Sequence, residues 1–321
     1  MTRFLISGAS GFVGANFVRR LVKNKNTVVI FVRKNSNLWR LHDVLSKIEV
    51  KFVDMDNIKE LRNLLKKAKP DFIYHFAAYG GHTFQKDIDI IIKTNIINSF
   101  NLMYAVDECE RLKRFINIGS STEYGPKLKP MKETDKTEPI TFEGISKNIQ
   151  TTFAQFFMKN LRLPIVTLRL FSVYGPYEQP GRLIYDVVTS LIKNQTLKLS
   201  TPHPKRDFVF IDDVISALEK AQEIPAIEGE IFNVGGGHNY SVGDVVNLAF
   251  ELTKKKVEIS WGSTEKKRDF NTKSPWIANI EKARQVLDWY PKYSFKEGFM
   301  KTYQWYQNNK QIWNKDSYKY N

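Results

Sequence analysis

Cysteine is nearly absent from this chain of 321 residues. Its one copy, Cys109, cannot close a disulfide within the chain, and a reducing compartment fits that usage. Cys109 lies in the polar stretch Asp107-Glu108-Cys109-Glu110, where nothing marks its thiol as activated. No apolar run approaches the roughly 18 residues that cross a bilayer. No Cys/His cluster has metal-ligand spacing, so no metal is expected. Internal repeats and low-complexity tracts are missing too. The first seven residues enter a strand pattern at once, without the longer apolar core and small-residue cleavage site of a signal peptide. These absences lead to the expectation of a soluble, cytoplasmic protein.

Acidic residues are outnumbered, 34 against 49 Lys and Arg, for a formal charge of +15. A nucleic-acid binder gathers such charge on one face. Here the basic residues are spread through nearly every helical segment, which suits a lysine-rich surface and an anionic small substrate. Neither nucleic acid nor membrane is expected as a partner. With 42% hydrophobic and 26% charged residues the composition is that of an ordinary globular protein. The length suits one large domain or two modest ones.

Short apolar runs recur at residues 2–7, 27–32, 50–54, 71–78, 114–119 and 164–170. Helix-period segments such as 58–67 and 94–108 separate most of them. Strands alternating with helices predict a parallel sheet with right-handed crossovers. After about residue 175 short strands (197–199, 207–211, 231–234) mix with helices. The expected fold is α/β: a doubly wound parallel (Rossmann) sheet over 1–175, with returning segments from the C-terminal half. A smaller mixed α/β lobe is expected over 176–321.

The first strand runs into Gly8-Ala9-Ser10-Gly11-Phe12-Val13-Gly14 and then a helix. Glycines there permit a tight turn and close approach to a pyrophosphate, while the helix start offers free N–H groups and a positive dipole end. The spacing is G-x-x-G-x-x-G. At the end of the second strand an acidic residue would hold a ribose 2′-OH, whereas arginine suits a 2′-phosphate. The chain has Arg33-Lys34-Asn35-Ser36 there, so NADP(H) is expected over NAD(H). Asp54, after the third strand, is a candidate for the adenine amino group, or else a helix N-cap. His82 follows the fourth strand in Ala78-Tyr79-Gly80-Gly81-His82, on a loop of the kind that faces ligand.

Taken with His75-Phe76-Ala77-Ala78, Lys93-Thr94-Asn95, Gly119–Gly125, Ser146-Lys147, Leu168–Pro176, Arg206–Val214 and Phe232–Gly235, the chain resembles the extended short-chain dehydrogenase/reductases. This is the NAD(P)-dependent epimerase/dehydratase group, and the resemblance covers nearly the whole sequence. It implies an enzyme acting on a nucleoside-diphosphate sugar. Cofactor contacts are implied at Gly8, Ser10, Gly11, Phe12, Val13, Gly14, Arg33, Asp54, Met55, Ala77, Ala78, Asn95, Lys147, Phe171 and Val173. Substrate contacts are expected at Tyr79, His82, Tyr124, Arg182, Arg206 and Arg268, with Trp276 a further guess. Planar guanidinium forks suit diphosphate oxygens. A homodimer is expected, since family members often pair through the helices here near 94–108 and 144–160. Phe153, Phe156, Phe157 and Met158 allow such a contact, and equally a core position.

The catalytic set implied by the resemblance is Ser120, with its neighbours Ser121 and Thr122, and Lys147. The family's tyrosine, four residues before that lysine, is here Glu143. A carboxylate beside a cation favours its charged form, which makes it a poor acid unless burial compensates. Three readings stay open: Glu143 replaces the phenol, another hydroxyl such as Tyr124 or Tyr79 serves, or the redox step is weakened or lost. Dehydratases of the family carry an acidic pair where this chain has Ser121 and Thr122, and Glu123 falls one place late. That spacing argues against an ordinary 4,6-dehydratase. The literal Tyr-x-x-x-Lys, Tyr306 to Lys310, is a chance match. The expected activity is therefore NADPH-dependent reduction of a 4-keto nucleotide sugar in deoxysugar and surface polysaccharide synthesis. A 4-epimerase or 4,6-dehydratase with tightly held cofactor and a catalytically silent dinucleotide binder are the alternatives.

Overall fold

The computed structural model describes residues 2–82, 84–263 and 274–314. The N-terminal part alternates β1 (Arg3–Ser7), α1 (Phe12–Lys23), β2 (Thr27–Val32), β3 (Glu49–Phe52), α2 (Ile58–Ala68) and β4 (Phe72–His75). A helical run follows: α3 (Ile88–Ile91), a π-helical stretch over Ile92–Ile97, and α4 (Asn98–Ala105). Next come β5 (Arg114–Ser120), α5 (Phe142–Leu161), β6 (Ile165–Leu170) and β7 (Ser172–Tyr174). The C-terminal half contains α6 (Leu183–Lys193), β8 (Leu197–Leu199), β9 (Lys205–Phe210), α7 (Ile211–Glu223) and β10 (Ile231–Val234). It continues with β11 (Asn239–Ser241), α8 (Val242–Thr253), β12 (Ile259–Trp261), α9 (Glu281–Leu287) and α10 (Phe295–Asn308).

Seven parallel strands form the main sheet in the order β3-β2-β1-β4-β5-β6-β10. Strand side chains alternate between faces, and here both faces are apolar. Phe4, Ile6, Val28, Ile30, Phe72 and Tyr74 enter one core with Phe17, Val18 and Leu21 of α1 and Val214 and Leu218 of α7. Leu5, Val29, Phe31, Ile73 and Phe115 enter the other with Leu61, Leu65, Leu102, Met103 and Phe157. Each fully buried side chain of this size contributes about 1.5–3 kcal/mol of transfer free energy. This two-sided burial explains why the strands read as nearly unbroken apolar runs. The strand order reverses between β1 and β4, and a crevice opens at the carboxyl ends there.

The C-terminal half adds a small sheet, β11-β9-β7, and the pair β12-β8. The expected strand at 50–54 ends at Phe52, leaving Asp54 beyond it, and the one at 71–78 ends at His75. The helix expected from residue 94 begins earlier and includes the π-helical stretch. Such widened turns often sit at functional sites.

Candidate active site

A cleft of about 690 Å³ runs from the glycine turn to the C-terminal half. Its floor begins where β1 ends. Gly8 has φ +72°, and a Cβ there would sit 2.3 Å from the Ala77 nitrogen. A Cβ on Gly14 would lie 2.5 Å from the Gly8 carbonyl. Only glycine lets β1, α1 and the end of β4 approach so closely. The N-cap of α1 is Gly11, with no side-chain capping bond. Its first-turn amides thus face the cleft without a protein acceptor from the cap, the arrangement that takes a phosphate. The turn therefore fits a dinucleotide diphosphate.

Beneath it, the buried His75 ring sits between the Ser7 Oγ (2.6 Å) and the Ser99 Oγ (2.8 Å). Burial, reinforced by the nearby Lys147 charge, lowers its pKa to about 3, so the imidazole is neutral. Asn95, in the π-helical stretch, is also buried. It accepts from the Tyr79 N–H and donates to the Tyr79 carbonyl and the Ser146 hydroxyl, all at 2.8 Å. Asn95 thus fixes the loop after β4 to α5 and is not itself part of the cleft wall.

Lys147 points into the floor from α5. Its Nζ donates to Gln150 Oε1 at 2.5 Å, Gln150 donates on to Asn117 Oδ1, and Asn117 donates to Thr167 Oγ1. Burial lowers the Lys147 pKa to about 8, against the upward pull of Glu123 and Glu143. Glu143, half-buried in the first turn of α5, lines the cleft one helical turn before Lys147. Its Cβ would be 3.2 Å from a Cβ placed on Gly80. Ser120 Oγ shares a 2.7 Å hydrogen bond with Thr122 Oγ1, and the Ser121 hydroxyl accepts from Trp276 Nε1 at 3.1 Å. Ser120, Ser121, Thr122, Glu143 and Lys147 therefore meet at one place.

The rest of the cleft wall brings together Gly8, Ser10, Gly11, Phe12, Val13, Gly14, Arg33, Ala78, Phe171 and Val173. Tyr79, His82, Arg182, Arg206 and Trp276 line the same cleft. The His82 ring stacks on Phe84 and contacts the Gln179 amide. The Arg206 guanidinium lies 5.6 Å from the Trp276 ring centre. Ala77 presses its backbone on Gly8 and does not reach the wall. Asp54 is exposed and accepts from the Asp56 N–H, while Asn57 caps α2. The Met55 carbonyl accepts from Asn101. Neither Asp54 nor Met55 lines the cleft. Arg268 lies outside the described residues.

Tyr124 departs from its expected place at the substrate. It is fully buried beside Met131, Phe171 and Trp276. Its hydroxyl donates to Asn233 Oδ1 at 2.7 Å, and burial pushes its pKa far up. A phenol so enclosed cannot serve as the missing acid. Glu123 is withdrawn as well. It accepts from the Ser120 N–H and from Arg169 Nε, each at 2.8 Å, in a fully buried ion pair.

The sequence profile of the GDP-mannose 4,6-dehydratase family matches residues 5–302. The chain belongs to that family. It is 26% identical to dTDP-glucose 4,6-dehydratase of Neisseria meningitidis, covering 98% of this chain and 95% of that protein. It is 25% identical to UDP-glucuronate 4-epimerase of Thermodesulfobacterium geofontis, covering 96% and 97%. Among solved structures, UDP-glucuronic acid 4-epimerase from Bacillus cereus, in complex with UDP-glucuronic acid and NAD, superposes with TM-score 0.85 at 26% identity. That match covers 96% of this chain and 99% of that one.

These relatives correct one expectation for this member of the GDP-mannose 4,6-dehydratase family. The epimerase structure holds NAD, so the preference for NADP(H) does not stand. Arg33 is exposed at the cleft rim, and its backbone N–H turns onto the Ser36 hydroxyl. An exposed arginine at the rim does not by itself commit a site to a 2′-phosphate.

Sequence reasoning also missed Arg40. It is buried, and its guanidinium donates to the Tyr177 carbonyl, the Ser10 carbonyl and Gln179 Oε1 at 2.8, 3.2 and 2.9 Å. Arg40 sits in a short 3₁₀ turn with no motif around it, so no pattern pointed to it. Glu178 was missed too, although an acid two residues past Gly-Pro in a motif-bearing loop was a visible signal.

Proposed function

We propose that this chain is an NAD-dependent 4-epimerase of a nucleoside-diphosphate sugar. What carries the proposal is the meeting of Glu143, Lys147 and Ser120 in one cleft with the glycine turn, with hydroxyls and no carboxylate at 121 and 122. NAD, held at the glycine turn and by Lys147, would supply a reversible hydride acceptor for the sugar carbon. Ser120, oriented by Thr122, holds the sugar hydroxyl. Glu143 takes the hydroxyl proton as the carbonyl forms and gives it back afterwards. The Lys147 ammonium balances the charge that the carboxylate exchanges with the substrate. A 4,6-elimination also needs a group that removes a proton from the neighbouring carbon. Ser121 and Thr122 are poor bases, and Glu123 is held by Arg169. The reductase reading loses the support that the NADP(H) preference gave it.

On this reading 1–175 holds the dinucleotide and 176–321 the nucleotide sugar. Two copies pair through α4 and α5, which leave Tyr104, Ile145 and Phe156 exposed, whereas Phe157 is core. Phe156→Asp is expected to yield a monomer in sedimentation velocity.

The test incubates the purified protein and NAD with UDP-glucose, UDP-glucuronic acid and dTDP-glucose. An epimeric sugar with no net reduced cofactor supports the proposal. A 4-keto-6-deoxy product points to a dehydratase, and net NADH consumption in a parallel incubation of the protein with NADH and the 4-keto forms of these sugars points to a reductase. Silence across the panel, with turnover appearing in Glu143→Tyr, identifies a catalytically silent binder.

A further inference from the structure

Glu178 is an unusual wall for a diphosphate cleft. It is only 4% exposed and lines the cleft. Its Oε2 is buried and has no hydrogen-bond partner among the described residues. A buried carboxyl oxygen without a partner costs about 1–3 kcal/mol, more if charged. Such a group persists where a ligand completes it.

The contacts of its loop bear on which ligand. Residues 177 and 179 on either side of Glu178 are both bonded to the Arg40 guanidinium, which also reaches the Ser10 carbonyl of the glycine turn. Asn16 of α1 donates to the Pro176 carbonyl at 3.0 Å. The loop is thereby fastened over the first turns of α1, on the dinucleotide side of the cleft. Tyr177 adopts φ +69°, a left-handed conformation that costs a non-glycine residue roughly 1–3 kcal/mol. Its ring is held by Trp305 at 4.4 Å and by Arg19 at 3.8 Å. This strained residue directly precedes Glu178.

We propose that Glu178 is a neutral carboxylic acid that donates a hydrogen bond to a phosphate oxygen of the dinucleotide seated at the α1 turn. This rests on the dinucleotide reading given above. An ionised carboxylate at that place would repel the diphosphate, so deprotonation releases the cofactor. The charges around Glu178 are Arg40 from the loop after β2, and Arg182 and Asp186 from the start of α6. From α10, the Tyr306 hydroxyl donates to the Glu178 backbone carbonyl. Burial outweighs the two arginines and raises the Glu178 pKa to about 8. The acid is therefore protonated at neutral pH.

The experiment titrates NADH and, separately, UDP into the wild-type protein and Glu178→Gln from pH 6.5 to 9.5 (roughly the span over which a group titrating near 8 changes charge). If only the protonated form binds, the wild-type Kd for NADH rises about thirtyfold between pH 7 and 9.5. Glutamine keeps a donor and cannot ionise, so the variant binds as the wild type does at pH 7 and, with only Lys147 left to titrate, weakens far less by pH 9.5. A wild-type affinity that is flat with pH overturns the proposal. So does an equal fall in Glu178→Gln, which would place the titration on Lys147. A Glu178-dependent fall for UDP but not NADH also overturns it. No NADH binding at any pH would instead remove the dinucleotide reading itself.

Discussion

Lys147→Met isolates the energetic burden of the buried lysine. The folded-state pKa is about 8, against an ordinary 10.5. A shift of 2.5 units at 1.36 kcal/mol per unit amounts to about 3 kcal/mol. Below pH 8 the folded and unfolded chains both carry the proton, and the native state bears the full desolvation penalty. Between pH 8 and 10.5 the folded chain loses its proton first, so wild-type stability rises with pH. Above 10.5 both forms are neutral and the penalty is gone. Methionine never bears it. The variant also leaves Gln150 Oε1 without its donor, a cost of about 1–3 kcal/mol, but that cost does not vary with pH. The quantity to follow is the difference in unfolding free energy between Lys147→Met and wild type, from urea curves at several pH values. It should shift by about 3 kcal/mol in favour of wild type between pH 7.5 and 10.5. A difference that stays constant over that range would refute the reasoning, because Lys147 would then bear no burial penalty.

Three further outcomes are expected. Glu143→Gln should lower kcat about 10²–10⁴-fold with little change in KM in the epimerase assay, and undiminished turnover would remove Glu143 from proton transfer. Tyr124→Phe should cost about 1–3 kcal/mol in urea unfolding, by leaving Asn233 Oδ1 without its donor, while kcat stays close to wild type. Glu123→Gln should cost about 3–5 kcal/mol by stranding the buried Arg169 charge. A Glu123→Gln protein that is fully stable but inactive would return Glu123 to a chemical role.

The sheet was legible because its strands are buried on both faces and alternate with amphipathic helices. The glycine turn was legible for a steric reason: the contact between Gly8 and Ala77 admits no Cβ. Lys147 and Ser120 were found from spacing, which fixes them on neighbouring element ends. Tyr124 was misplaced because spacing says nothing about direction. The short 3₁₀ turn over Ser121–Glu123 swings its ring into the cluster that meets Asn233. Arg33 was placed correctly along the chain, but its openness to water depends on tertiary surroundings. The Asn95 clamp needs the π-helical stretch, whose extra backbone residue per turn leaves no trace in apolar periodicity. The Glu143 substitution was visible as a departure, and its nearness to Lys147 followed from the four-residue spacing, whereas its contact with Gly80 appears only in the fold.

The last strand of the main sheet, Ile231–Val234, is laid against β6 long after β6 itself is made. During synthesis on the ribosome, roughly sixty residues must emerge before that ladder is complete. Until then β6 presents a bare row of backbone donors and acceptors, open to pairing with another nascent chain. A gene fragment ending near residue 175 would leave that edge bare for good. Expression of the N-terminal half alone should therefore give aggregates, and supplying the missing half in trans should rescue solubility.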